Sequence, residues 1–396
     1  MKSQYFAIAL MCALFVSCAK WGNSENYRLM LQAQALVEQM PDSALILLDM
    51  VNTAPLNRAQ TAEYTLLRVQ ARNNADNDMC SDTEIFMAYD YLKNKKDYEN
   101  AALAGFYSAC VAKARNDAAL EMDYYLQALE LAQKTDNRIL QGKLYYNMGY
   151  LNYRRRWFTE AVQQYRLALN FFQTDSAQFH REIYTLNAIS NAFLVNQLND
   201  SAHYYYQAAL ERAHVHADTA MLIMVYSNMG AFYQEQGMLD TALHYSRKAL
   251  FLANDDNEKA LIYMNFADVF LDKNSIDSSR FYLNLVELLF KPLENHYTRA
   301  SIDYLHYQIE KAEGNFLKAL EYYELYNQYH EELTDSHDRQ TVLELQKKYD
   351  KAASENEHNR EKTRWLIITW VFGYSALFFS IAVLAVILKI KNNRMI

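Results

Sequence analysis

Apolar and polar positions alternate along most of this chain with the period of packed helices, and the pattern repeats. Three segments line up: "LYYNMGYLNYRRRWFTEAVQQYRLAL", "VYSNMGAFYQEQGMLDTALHYSRKAL" and "IYMNFADVFLDKNSIDSSRFYLNLV". Each sets an aromatic before an Asn, then an apolar residue and a small one. About a dozen positions later comes another small residue, then aromatics, then a small or apolar residue. The second small position falls at Ala161, Ala202, Ala242, Ser279 and Ala319, with spacings of 41, 40, 37 and 40 residues. Weaker copies run back through Glu121, Glu84 and Ala44. Regular self-similarity of this length is the mark of a stacked repeat. It predicts an all-α chain of about eight helical pairs between residues 25 and 330.

These segments resemble the tetratricopeptide repeat, a helix–turn–helix unit with small residues where its two helices cross. The period near 40 exceeds the usual ~34, so each helix is expected to be about a turn longer. Gly149 and Gly230 take the small position of the first helix; Ala161, Ala168, Ala242 and Ala249 take those of the second. Met148, Met229 and Phe266 fill the seam. Two pairs depart from the pattern, with Ala109 and Tyr307 where Gly is preferred, and are expected to pack less tightly or to cap the array. A single pair cannot bury its apolar face, so the pairs are expected to stack into a right-handed α-solenoid with a concave side. The resemblance implies that a peptide or protein partner binds on that side, and it puts Tyr146, Tyr150, Tyr153, Arg154, Asn187, Asn191, Gln234 and Glu235 there. The recurring Asn147, Asn228 and Asn265 belong to the repeat pattern itself.

Beyond the repeat the pattern changes. Residues 331–364 are polar and free of Gly and Pro, with Val342, Leu345, Tyr349 and Ala352 in a 3,4,3 spacing that continues through Asn356, Asn359, Thr363 and Leu366. That is a coiled-coil seam with a polar second half. It predicts a long helical stalk, either a homodimer contact or a solvated single helix. Residues 365–388 carry no charge, and such a run is long enough to cross a bilayer core of about 30 Å as one transmembrane helix. The tail is residues 389–396. At the other end, residues 1–18 read as a secretory signal, with Lys2, an apolar run from Tyr5 to Val16, and Ser17 before Cys18. The ending "LFVSC" resembles a lipoprotein signal with Cys18 as the lipidated residue, although Phe15 stands where Leu is usual. Ordinary cleavage and a retained anchor are the alternatives. These features predict a bacterial inner-membrane protein with its repeats in the periplasm and its tail in the cytoplasm.

Composition supports the helical reading. Only 8 Gly and 3 Pro occur in 396 residues, too few for the turns of a sheet protein. The 32 Tyr suit both interhelical packing and open binding surfaces. A formal charge of −8 without a dense basic stripe argues against nucleic acid as a partner. Cys80 and Cys110 either pair or stand as separate thiols. "RRRW", Arg154 to Trp157, lies at a helix–helix bend. It offers either a guanidinium cluster for an anionic peptide or glycan, or a solvated bend with Trp157 packed on the next repeat. His214 and His216 in "HVH" would point to different faces of a helix, and His330, His337 and His358 are too far apart for one site. No phosphate-binding loop, nucleophile elbow or zinc-binding helix is present. The sequence therefore predicts no catalytic residue, no cofactor and no metal.

The whole layout resembles the exported sensor half of bacterial single-span tetratricopeptide regulators, whose output part is a histidine kinase or a helix-turn-helix domain, here without that part. The resemblance implies a non-enzymatic, membrane-anchored interaction module that senses or adapts through a partner. The alternative is an envelope assembly scaffold that uses the span only as an anchor.

Overall fold

In the computed structural model, residues 25–289, 296–331 and 361–370 are described. The chain divides into two compact units, Met1–Arg339 and Gln340–Ile396. Within the first, the described residues form eight antiparallel helical pairs. They are α1 (Glu25–Leu36) and α2 (Pro41–Asp49), α3 (Arg58–Asn74) and α4 (Glu84–Asn94), α5 (Tyr98–Ala114) and α6 (Ala118–Ala132), and α7 (Arg138–Arg154) and α8 (Phe158–Phe172). Then come α9 (Phe179–Val195) and α10 (Asn199–Val215), α11 (Thr219–Glu235) and α12 (Leu239–Leu252), α13 (Asp256–Asp272) and α14 (Ile276–Leu289), and α15 (His296–Ala312) and α16 (Phe316–Glu331). First helices are odd-numbered, second helices even. From α3 on, every first helix has 17 residues.

Local chemistry fixes where these helices start and stop. Asn57, Asn137, Asp218 and Asp255 precede α3, α7, α11 and α13, and each side chain accepts a backbone N–H of the first turn. Such a cap contributes about 0.5–2 kcal/mol. The turns inside pairs three to eight share one geometry. Asn116, Arg156, Gln197, Gly237, Asn274 and Gly314 all have positive φ, between 49° and 81° for the full set of such residues. In each turn the next residue's N–H reaches back to the final turn of the first helix, as Trp157 N does to Asn152 O (2.9 Å) and Met238 N to Tyr233 O (2.9 Å). This left-handed termination reverses the chain within three residues. It recurs at the repeat period, so the turn is part of the repeat.

Small residues set the distance between the two helices of a pair. A Cβ on Gly149 would lie 2.7 Å from the ring of Tyr165, and one on Gly230 would lie 2.8 Å from Ser246 Oγ. Ala161, Ala168, Ala242 and Ala249 are fully buried, and Met148, Met229 and Phe266 fill the seam as expected. Tyr125, Tyr165 and Tyr206 occupy one register in α6, α8 and α10, all buried. The third pair, with Ala109, still buries Tyr125; its close approach lies a turn earlier, at Gly105 against Ala128 (3.0 Å). The last pair does differ. Tyr307 packs at a tilt against Tyr323 (ring centroids 5.0 Å), and Phe316, Leu317 and Leu320 remain exposed.

Buried acids are matched with arginines between helices. Glu121 pairs with Arg154, Glu182 with Arg212 (2.6 Å), and Glu310 with Arg280 (3.0 Å). Two of these pairs bridge neighbouring helical pairs, so they also fix the stacking.

One expectation is corrected. Among the described residues no helix is long and apolar enough to cross a membrane. Residues 361–370 are helical and contain Trp365 to Trp370, the first part of the anticipated span. Of the anticipated span, only residues 365–370 are among the described residues. The fold is therefore an all-helical repeat of tetratricopeptide type with no transmembrane helix among the described residues. The assignment to a bacterial inner membrane, with repeats in the periplasm and tail in the cytoplasm, depended on that span and falls with it. Residues 1–18 with Cys18, residues 332–360 of the stalk, and residues 371–396 lie outside the described residues.

Candidate peptide-binding face

First helices approach the first helices of neighbouring pairs, α9 to α11 and α11 to α13 for example, whereas no two second helices come as close. The stack therefore curves with its first helices on the inner side. That face is where the sequence placed its candidate residues.

Three tyrosines of α7 line its inner side, all half-buried. Tyr146 leans on Tyr165 (centroids 5.3 Å), and burial pushes its phenol up to about 12. Tyr150 lies between two cations, Lys113 Nζ at 4.8 Å and the Arg154 guanidinium at 5.4 Å from its ring centre. Tyr153 packs edge-on against Phe158 (5.6 Å). Arg154 donates to Glu121 Oε2, and its side chain is almost wholly buried. Burial pushes the Glu121 carboxyl up, and Arg154 opposes that shift. Arg154 thus fixes Tyr150 and neutralises Glu121, with little of its surface open to a ligand.

The "RRRW" cluster separates into different tasks. Arg154 is in the ion pair, Arg156 holds the left-handed turn (φ 62°), and Trp157 is buried. That is the packed-bend alternative of the sequence reading.

On α9 and α11 the polar candidates join one helix to the next. Asn228 Nδ2 donates to Asn187 Oδ1 (3.0 Å), and Asn265 Nδ2 donates to the carbonyl of Ser227 (3.0 Å). Two of the three recurring asparagines, Asn228 and Asn265, therefore fasten a first helix to its predecessor, whereas Asn147 donates to the carbonyl of Lys143 within α7 (2.8 Å). Asn191 Oδ1 accepts the Tyr206 hydroxyl, satisfying that buried phenol. Gln234 donates to Asp272 (2.8 Å), and Glu235 is exposed.

Several inner-face residues escaped the sequence reading: Lys113, Lys143, Arg181 and Tyr184 toward α5–α9, and Asp268 and Asp272 on α13. Burial raises Asp268, and the nearby Asp272 and Glu235 add to it. The inner face is thus cationic and aromatic around α7 and acidic around α13. The signal was available, since Lys143 precedes Tyr146 by one turn and Asp268 stands on α13 in the register of Tyr150.

Elsewhere, Cys80 and Cys110 are free thiols. Cys80 Sγ donates to the carbonyl of Ala114 (2.9 Å), and burial pushes the Cys110 thiol up to about 12. His214 and His216 take separate partners, the Tyr226 hydroxyl (3.1 Å) and the ring of Phe179 (4.0 Å). Among the described residues no three metal-ligating side chains converge.

No protein-family profile matches this chain, and no curated protein matches it. Solved structures do. The apo form of RapI aligns with a TM-score of 0.55 at 13% identity, over 78% of this chain and 98% of that one. NprR in complex with its cognate peptide NprX aligns at 0.55 and 16%, over 76% and 89%. The Rap conjugation gene regulator of plasmid pLS20, in complex with the Phr* peptide, aligns at 0.50 and 15%, over 82% and 96%. Identities this low establish a shared helical-repeat fold. They give no support to the exported single-span sensor arrangement or to an association with a kinase or helix-turn-helix output.

Proposed function

We propose that this protein is a non-enzymatic interaction module that binds an extended peptide, or an extended segment of a protein, along the inner side of α7, α9 and α11, and that it acts as a sensor or adaptor through that partner. The observation that carries this reading is the run of half-buried tyrosines on α7, continued by the polar side chains of α9 and α11. Half-buried tyrosines give a ligand large rigid contact area at small entropic cost, with hydroxyls for its backbone. Tyr150, held between Lys113 and Arg154, is already in place and need not be ordered on binding. Two of the solved structures with this fold, NprR and the pLS20 Rap regulator, are complexes with peptides.

The test is selection of peptides from a random library on the full chain, followed by affinity measurement in variants. Tyr150→Ala is expected to weaken a selected peptide about tenfold or more, the loss typical of a central aromatic contact. Phe251→Ala, on an exposed position of the second helix α12, is expected to change nothing. Peptides indifferent to Tyr150 but weakened by the change at Phe251 would overturn the reading.

A further inference from the structure

Along the stack, each second helix packs an outward row of side chains against the first helix of the next pair. Val162, Tyr165 and Leu169 of α8 pack with Ile183, Leu186 and Ile189 of α9. Leu243 of α12 packs with Ile262, Phe266 and Val269 of α13, and Leu283 of α14 with Ile302, Leu305 and Ile309 of α15. The covering helix thus brings an apolar side chain every three or four residues, the stripe of an amphipathic helix. The eighth pair repeats the outward row and leaves it open. Counted from the anchors Ala319 and Ala161, Phe316, Leu320 and Tyr323 of α16 hold the places of Phe158, Val162 and Tyr165 on α8. Val162 is 6% exposed and Leu320 53%, while Phe316 and Leu317 reach 71% and 74%.

A stack of repeats is ordinarily finished by a polar outer face. The first pair has one: α1 exposes Arg28, Gln32 and Gln34, and Leu31 is the one large apolar side chain exposed on that helix. On α16 the row beside the apolar one fixes the sign of charge instead. Glu321 and Glu324 follow Leu317 and Leu320 by four residues each, so they stand one turn further along the same side, both exposed. The cations close by are turned elsewhere. Lys318 lies two residues from Leu320, on the other side of the helix. Lys311 donates to the Tyr307 hydroxyl (3.1 Å), and Arg280 is held by Glu310 (3.0 Å) and Glu313 (2.6 Å). Anything laid along the apolar row therefore meets carboxylates at one edge.

We infer that α16 is a second docking surface, separate from the inner face, and that it takes an amphipathic helix of another protein. That helix carries an apolar stripe for Phe316, Leu320 and Tyr323 and lysines or arginines along one flank for Glu321 and Glu324. It stands where the first helix of a ninth pair would stand. A second copy of this chain fits less well, because its α1 offers a polar side and its α16 brings the same two carboxylates. Burial of the apolar row supplies the affinity. The flanking charges, at the edge and in water, supply the choice of partner and the rate of encounter.

Three fluorescent peptides of about 20 residues, long enough to be helical, test this on the full chain by polarisation. One has a leucine stripe flanked by Lys, one the same stripe flanked by Glu, and one the residues of the first in shuffled order, without a stripe. The Lys-flanked peptide is expected to bind about tenfold tighter than either of the others. Leu320→Glu, at an exposed position, is expected to abolish its binding, and Tyr150→Ala on the inner face to leave it unchanged. Changing Glu321 and Glu324 together to Lys is expected to transfer the preference to the Glu-flanked peptide. Equal binding of the Lys-flanked and shuffled peptides, or binding indifferent to Leu320→Glu, would overturn the inference and leave the inner-face reading intact. So would a chain that binds none of the three and sediments as a dimer that Leu320→Glu dissociates, since a second copy would then be the occupant. A chain that binds none of them and melts several degrees lower with Leu320→Glu would also overturn it, since the row would then be covered from within the chain.

Discussion

The fourth and eighth helical pairs place the same kind of side chain at the same register and treat it differently. Tyr165 of α8 is buried at 1% exposure, while Tyr323 of α16 is 39% exposed. The cause lies across the seam. Gly149 lets α7 approach the face of Tyr165, whereas Tyr307 stands in that register on α15 with its ring against Tyr323 at a tilt (centroids 5.0 Å, 45° between planes), which keeps Tyr323 outward. Pairs three to seven all put a small residue there (Ala109, Gly149, Ser190, Gly230 and Ala267), and the opposite residue is buried in each. One position per repeat therefore decides whether a pair closes over its seam.

The ion pairs of the two regions give the largest expected contrast. Arg154→Met leaves Glu121 buried without its partner and is expected to cost about 3–5 kcal/mol in urea denaturation. Arg280→Met next to the eighth pair is expected to cost much less. Arg280 and Glu313 are each about a third exposed, and Asn315 also donates to Glu310 (2.8 Å), so water and this amide partly replace the guanidinium. Equal losses would show that the two regions are closed alike.

Next in size is the seam itself. Gly149→Ala drives a Cβ into a buried ring and is expected to cost about 1–3 kcal/mol. Tyr307→Ala, where the seam is already open, is expected to change stability by less than that. A harmless Gly149→Ala would break the comparison.

The turns follow. Arg156→Gly in the fourth pair relieves a non-glycine residue at positive φ and is expected to stabilise by about 0.5–1 kcal/mol, while Gly314→Ala in the eighth does the reverse. Both are read from the urea midpoint.

The smallest effect is pH-dependent. Asp218 caps α11, and its carboxyl is held below the usual range first by the hydrogen bond from Met221 N and then by His180, whose Nε2 is 2.8 Å away. Its contribution is full above the ordinary carboxylate pKa and is lost as pH falls through the lower folded value. Asp218→Ala is expected to cost about 0.5–2 kcal/mol at pH 7, with the gap to the parent chain closing below pH 4.

The eight pairs and most of their small positions were legible because each is a local pattern repeated at a steady period. Contacts across the curvature were not. Glu121 reads as a weak small position until Arg154 is found packed on it. Nothing near Lys143 in the chain points to Glu38, three pairs away, whose Oε2 lies 4.0 Å from its Nζ. The "RRRW" cluster stands out in sequence as a binding feature, yet one of its arginines is a turn residue and another a buried counter-ion. The anticipated membrane span is not borne out among the described residues, where no helix is long and apolar enough to cross a membrane; residues 371–388 of that segment lie outside them.

The central claim, that the inner face of α7 is where a partner binds, is tested most directly by photocrosslinking in cells. A photoreactive residue would replace Tyr150 on the inner face in one chain and Phe251 on α12 in another. The account predicts that the Tyr150 position captures a peptide or protein other than the chain itself, and that the Phe251 position does not capture it. Capture at Phe251 alone, or only self-contacts at Tyr150, would contradict it.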